Sequence, residues 1–211
     1  MENIKLICFD LDKTLITHNS WYELNLALGV THEEDQQLFN DYKDGKISYE
    51  EWQQKLLKLL QRSDKANLEE ITNVLSKYTF NEGARDAVNY AKSKGKEVAL
   101  ISGSINILVD LVAKDLGIEL AEAANILVFN EENRLKDIVV VGDDKIAKLN
   151  FLESFCRKLG IELHECLCVG DGDNDIEMFR KTGRGVTFED SKIKNEAWKV
   201  INGLRDLPTL F

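Results

Sequence analysis

Two aspartates separated by a single residue, Asp10 and Asp12, follow directly on a short apolar run, Ile4 to Phe9. At the end of a strand and in its turn, such carboxylates point roughly the same way and repel. One of them then tends to keep a proton unless a cation lies between them. That suits a metal site or an acid–base pair, and one carboxylate can serve each role. A second acidic cluster, Asp171-Gly172-Asp173-Asn174-Asp175, follows another apolar run, Cys166 to Val169. Its alternation fits the first five positions of a calcium loop. Ile176 stands where that loop needs Gly and Thr182 where it needs Glu, so the EF-hand is excluded. An oxygen-rich cluster with few protein ligands suits Mg2+, which keeps several waters and binds beside a phosphate.

A third segment, Ser102-Gly103-Ser104, joins an apolar run to a helical one. Backbone N–H groups and a hydroxyl at such a junction make an anion site. Lys145 and Lys148 fall near the start of the next long helical segment, where a cation opposes the helix dipole and points to an anion nearby. Taken singly, each of these is an ordinary turn, cap or surface residue. Their weight lies in falling together at the carboxyl ends of strands, the edge where open α/β sheets bind ligands.

The strands are Ile4–Phe9, Glu97–Ile101, Cys166–Val169 and Arg184–Thr187, short apolar runs bounded by Gly or polar turns, as in sheets buried on both faces. Between and after them run the helical segments 84–94, 104–116, 145–159 and 175–181. The alternation implies an α/β fold, a doubly wound, mostly parallel, Rossmann-like sheet. From Ile16 to Tyr78 the pattern turns helical. Tyr49, Trp52, Leu56, Leu59 and Leu60 share one face, and Thr31, Ser48 and Asn67 each precede a Glu by three residues as helix starts. About four helices in a small bundle are expected there. Ile126–Phe129 and Leu135–Val141, joined by the turn Asn130–Asn133, predict an inserted β-hairpin.

With 44% apolar and 30% charged residues, the chain of 211 has material for a core and a soluble surface. No apolar run reaches the roughly 20 residues that cross a bilayer. Met1 to Asp10 is too short and acidic for a secretory signal, so a cytoplasmic location is expected. The net charge of −10 argues against nucleic acid and anionic membranes as partners, while a divalent cation can still invert the field locally for a small phosphate. Cys8, Cys156, Cys166 and Cys168 lack zinc-ligand spacing and read as buried free thiols suited to a reducing compartment.

Asp10-Leu11-Asp12-Lys13-Thr14-Leu15, Ser102, Lys148 and Gly170-Asp171-Gly172-Asp173-Asn174-Asp175 resemble, in order, the four motifs of the haloacid dehalogenase superfamily of phosphohydrolases. The helical insert, Glu82-Gly83-Ala84 and the hairpin resemble its phosphoserine phosphatase branch, and the resemblance spans essentially the whole chain. It implies a catalytic core of residues 1–15 and 81–211 and a helical cap of residues 16–80. It also implies that Asp10 attacks phosphorus to form an aspartyl-phosphate, and that Asp12 serves as acid and then base. Mg2+ would be held by Asp10, the Asp12 backbone carbonyl, Asp171 and Asp175, the last through ordered waters. Ser102, Gly103, Asn174 and Lys148 would bind the phosphoryl oxygens, with Lys145 the second choice for the lysine. The substrate would be a small phosphorylated metabolite.

The cap departs from the branch. Asn19 stands at the position of the Glu, and Leu56 at that of the Arg, that grip the amino acid in phosphoserine phosphatases; Lys13 replaces the usual Ser or Gly after the second aspartate. Phosphoserine is therefore not expected to be the preferred substrate. Three rivals stand beside a hydrolase. A receiver-type signalling module has no place for the 16–80 insert. A catalytically dead relative would lack a nucleophile or metal acid, and none is missing. A phosphotransferase passing the phosphoryl group to an alcohol shares the same motifs.

Overall fold

Successive residues of a strand face opposite ways, and here that alternation sorts the apolar residues into two cores. Ile7, Phe9, Val98, Leu100, Leu167 and Val169 fall in one buried cluster; Leu6, Cys8, Ala99, Ile101, Cys166 and Cys168 fall in the other. A sheet buried on both faces results, with helices above and below. The computed structural model describes residues 3–211; Met1 and Glu2, part of the segment read as too acidic for a secretory signal, lie outside them.

The strands are β1 (Leu6–Phe9), β2 (Glu97–Ile105), β3 (Leu120–Phe129), β4 (Leu135–Val140), β5 (Cys166–Val169), β6 (Gly185–Phe188) and β7 (Lys199–Ile201). They form one sheet in the order β4-β3-β2-β1-β5-β6-β7, parallel except for the antiparallel pair β3–β4. The expected hairpin is thus the edge of the main sheet: β3 begins at Leu120, six residues before the expected run, and pairs parallel with β2 first. Strand β2 runs on to Ile105, past the expected stop at Ile101, with a register shift between Ser102 and Ile105.

Four helices follow β1: α1 (Ser20–Ala27), α2 (His32–Lys43), α3 (Tyr49–Leu60) and α4 (Leu68–Leu75). Thr31, Ser48 and Asn67 cap the last three as the pattern predicted, with capping boxes completed by Thr31 with Glu34 and Ser48 with Glu51, and Asn19 caps the first. Beyond this helical cap come α5 (Ala84–Ser93), α6 (Asn106–Leu116), α7 (Asp144–Leu159) and α8 (Ile176–Thr182). Residues of α5, α6 and the cap join the first core cluster, and residues of α7 and α8 the second.

Backbone hydrogen bonds tie the cap to the sheet at two separate places. Thr17 N–H donates to the Thr79 carbonyl and Asn81 N–H to that of Leu15, around an Ile16–Phe80 bridge. At the tip of the β3–β4 hairpin, Leu68 N–H donates to Asn133 O and Leu135 N–H to Ala66 O. All four cysteines are buried and unbridged, as the sequence suggested. No helix among the described residues is long and apolar enough to cross a membrane.

Candidate active site

Phe9 pairs with Leu100 on one side and Val169 on the other, so the turns after β1 and β5 and the last residues of β2 start from neighbouring points. Asp10, the 102–104 segment and Asp171 come together there for that reason. Asp10, Asp171 and Asp175 each offer a carboxylate oxygen within 4.8 Å of the others. Lys148, wholly buried on α7, donates to Asp10 Oδ1 at 2.6 Å and to Asp175 Oδ1 at 2.8 Å. Lys145, one turn earlier on α7, is only half-buried, so Lys148 is the lysine brought into the group.

Local backbone explains the placement. The Asp175 carboxylate turns back to accept from Gly172 N–H at 3.1 Å. It sits so close over Gly170 that a Cβ there would lie 2.2 Å from Oδ2. Only glycine fits. Asp171 accepts from Thr14 Oγ1 at 3.5 Å through Oδ1, while its backbone carbonyl accepts from Ser191 Oγ at 2.9 Å. Asn174 lies on the short 3-10 turn between Asp173 and Asp175.

Asp12 faces the cap. Its Oδ2 accepts from Ser20 Oγ at 2.7 Å, and Ser20 also bonds the Ser104 hydroxyl; its Oδ1 is sealed from solvent without a partner. Burial, reinforced by the Asp10 charge and only partly offset by Ser20, pushes Asp12 up to about 7. A carboxyl poised there can hold a proton near neutrality and part with it. Burial, with the Asp10 charge, also raises Asp171 to about 7, and burial raises Asp175 despite the Lys148 ammonium. Burial alone would lower Lys148, but Asp10 and Asp175 outweigh it and keep it charged.

Buried Ser102 accepts from Ser104 N–H at 3.0 Å. The Gly103 carbonyl receives Asn125 Nδ2 at 2.7 Å and Trp21 Nε1 at 3.4 Å. Ser20 and Asn125 carry no motif signal: they meet their partners across the cap–sheet boundary, Ser20 with Ser104 and Asn125 with Tyr49, and only the fold joins them. Lys13 takes a left-handed backbone conformation (φ 56°), which costs a non-glycine residue about 1 kcal/mol or more. Its carbonyl is held by Asn81 Nδ2 at 3.2 Å. A cleft of about 970 Å³, lined by residues including Lys13, Phe39, Lys43, Asp171 and Lys192, reaches the group from outside. Across it Lys43 pairs with Asp173 at 2.9 Å; nearby on the same helix Tyr42 donates to Asp143 Oδ2 at 3.1 Å.

Two of the departing cap positions have structural roles of their own. Asn19 spends its side chain on capping α1, accepting from Tyr22 N–H at 2.9 Å. Leu56 is buried in the hydrophobic core with Leu57 and Leu60, not in the cleft lining, because it falls on the inner apolar stripe of α3.

The carboxylate triad is a hard oxygen donor set with excess negative charge and fits a divalent cation. Residues 4–183 match the haloacid dehalogenase-like hydrolases, and the chain belongs to that family, as one of its phosphatases. It is similar to phosphoserine phosphatase of Methanocaldococcus jannaschii, with 31% identity over 96% of this chain and 94% of that one. The phosphoserine phosphatase of Albidiferax ferrireducens is 32% identical over 89% of this chain and 80% of its own length. A solved substrate-bound phosphoserine phosphatase superposes over the full length of both chains with a TM-score of 0.84 and 30% identity. A phospho-aspartyl intermediate analogue of phosphoserine phosphatase reaches 0.82, also at 30% identity. Within the family, the chain falls on the phosphoserine phosphatase branch.

Proposed function

We propose that the protein is a Mg2+-dependent phosphomonoester phosphatase that works through an aspartyl-phosphate at Asp10 on a small phosphorylated metabolite. The observation that carries this reading is the ion-paired group of Asp10, Lys148 and Asp175 with Asp171 beside it, a charge arrangement suited to phosphoryl transfer. Asp10, Asp171 and Asp175, with the Asp12 backbone carbonyl, would hold Mg2+, which supplies charge neutralisation for the phosphoryl oxygens.

In the first step an Asp10 carboxylate oxygen bonds to phosphorus as the bond to the alcohol oxygen breaks, and the Asp12 proton goes to that oxygen. In the second, water attacks phosphorus, its proton returns to Asp12, and the Asp10–phosphorus bond breaks to release inorganic phosphate. Ser102, Gly103, Asn174 and Lys148 hold the phosphoryl oxygens during both steps. Residues 16–80 act as the cap, and 1–15 with 81–211 as the catalytic core. Phosphoserine, the alcohol ester named for the relatives, is not the preferred substrate: capping occupies Asn19, and Leu56 carries no charge.

Acid-quenched protein taken during turnover of 4-nitrophenyl phosphate should carry one phosphoryl group on Asp10 by peptide mass spectrometry. Phosphorylation elsewhere, or full activity in a metal chelator, would refute the mechanism.

A further inference from the structure

Six buried side-chain polar atoms lack a hydrogen-bond partner among the described residues, and four of them belong to cap helices or to residues that bond across the cap–sheet boundary. They are Asp12 Oδ1, Asn25 Oδ1, Gln53 Oε1 and Asn125 Oδ1, and all four are acceptor oxygens. Contacts around the Gly103 carbonyl relate their places. Trp21 on α1 donates to the Gly103 carbonyl, and Asn25 sits one turn beyond Trp21 on the same helix face. Tyr49 on α3 meets Asn125 Nδ2 at 3.0 Å, and Asn125 donates to that same carbonyl; Gln53 sits one turn beyond Tyr49. The two asparagine amides are oriented by partners that can only accept. Asn125 Nδ2 faces a carbonyl, and Asn25 Nδ2 faces the Asp35 carboxylate at 2.8 Å. Their oxygens therefore point the other way.

Asn25, Gln53 and Asn125 are each at least 98% buried, at 2%, 2% and 0% exposure. Leaving a buried acceptor unpaired costs about 1–3 kcal/mol, so such groups stand ready for donors that a ligand brings. Charge sharpens the reading. Lys148 is the one buried cation among the described residues, and Asp10 and Asp175 hold it on the phosphoryl side. The lysines of the outer cleft, Lys13 and Lys43, are exposed, and Lys43 is already paired with Asp173, so a ligand carboxylate buried beneath the cap would meet no buried cation but acceptor oxygens and the carboxylates of Asp12 and Asp35.

We infer that the alcohol part of the substrate is rich in O–H or N–H donors and lacks a carboxylate. The inference rests on the phosphatase reading above and narrows the substrate of the same site.

Two matched pairs of phosphomonoesters test it. Phosphoethanolamine differs from phosphoserine only by the carboxylate, and glycerol 3-phosphate replaces the carboxylate of 3-phosphoglycerate with a hydroxymethyl group. With Mg2+ present, the carboxylate-free member should lead in kcat/KM by at least about tenfold in whichever pair is turned over faster, since sites built around buried polar groups discriminate strongly. Which pair leads tells N–H from O–H donors. A smaller lead, or a lead for the acid, overturns the inference. So does turnover of 4-nitrophenyl phosphate with none of the four. If no phosphomonoester is hydrolysed at all, it is the phosphatase reading that falls. Gln53→Leu should shrink the lead of the preferred ester over its acid partner, and an unchanged lead would remove Gln53 from the pocket.

Discussion

The two sides of the proposed site are built on opposite principles. On the sheet side two of the three carboxylates are answered within the protein: Lys148 bridges Asp10 and Asp175, and Gly172 N–H meets Asp175. On the cap side the polar groups are mainly neutral amides and hydroxyls, and four acceptor oxygens go unanswered. The sheet side is thus organised before any ligand arrives, which favours electrostatic stabilisation of phosphoryl transfer. The cap side is completed by what binds. On the proposed reading, reaction type and substrate choice are housed in different parts of the chain, one at the strand ends and one on α1, α3 and β3.

The largest expected effect breaks the sheet side directly. Asp10→Asn should lower kcat by about 10²-fold or more, since an amide is a poor nucleophile, while circular dichroism shows the fold retained. Gly170→Ala comes next. Its Cβ would displace the Asp175 carboxylate and loosen Lys148, so both activity and Mg2+ affinity, read by titration, should fall by roughly tenfold or more.

Lys148→Met should destabilise the fold by about 3–5 kcal/mol, because two buried carboxylates, Asp10 and Asp175, lose their shared cation. Lowering the pH or adding Mg2+ should recover part of the lost melting temperature.

The wild-type carboxylates also predict a pH dependence. Asp171, raised from 3.8 to about 7 by burial and the Asp10 charge, holds a proton in the folded state that the unfolded chain has already lost. Its stabilisation is complete below the ordinary value and is lost as pH rises through about 7. In chelator, the melting temperature should therefore fall between pH 5.5 and 8 by a few degrees, roughly 2–4 °C per kcal/mol, and Mg2+ should flatten the curve. The smallest effect belongs to the cleft rim. Lys43–Asp173 is half exposed, so Lys43→Ala should cost at most about 1 kcal/mol and show itself in KM more than in kcat.

The sequence exposed the sheet side much better than the cap side. Asp10, Asp12 and Asp171 follow buried strands whose apolar runs are short and sharply bounded, and the helix starts in the cap carry capping residues. The first half of β3 was hidden because Leu120-Ala-Glu-Ala-Ala has the composition of a helix, and pairing with β2 overrides it. Strand β7 has three residues, too few for a pattern. Strand β2 continues past Ser102 because the chain shifts register there, which no local preference announces. Ser20, Gln53 and Asn125 were invisible for a different reason. Each is an unremarkable polar residue whose meaning comes from partners far along the chain, such as Asn125 with Tyr49, 76 positions away. Leu56 shows the converse, since matching by position put it where a charge is expected while helix periodicity put it in the core.

The backbone bonds that join cap and sheet at Thr17 and Asn81, and again at the hairpin tip, have a consequence for how the interior is reached. A segment fastened along two borders cannot swing outward as a rigid plate without breaking main-chain ladders. Passage would then fall to the corner beside α2, where the described contacts with the core, Lys43–Asp173 and Tyr42–Asp143, are between side chains. The amides of Thr17, Leu68, Asn81 and Leu135 should then exchange with deuterium only in large unfolding events, slower than catalytic cycling by orders of magnitude. The doorway and the frame keep different clocks, and stiffening the frame should leave the traffic unchanged.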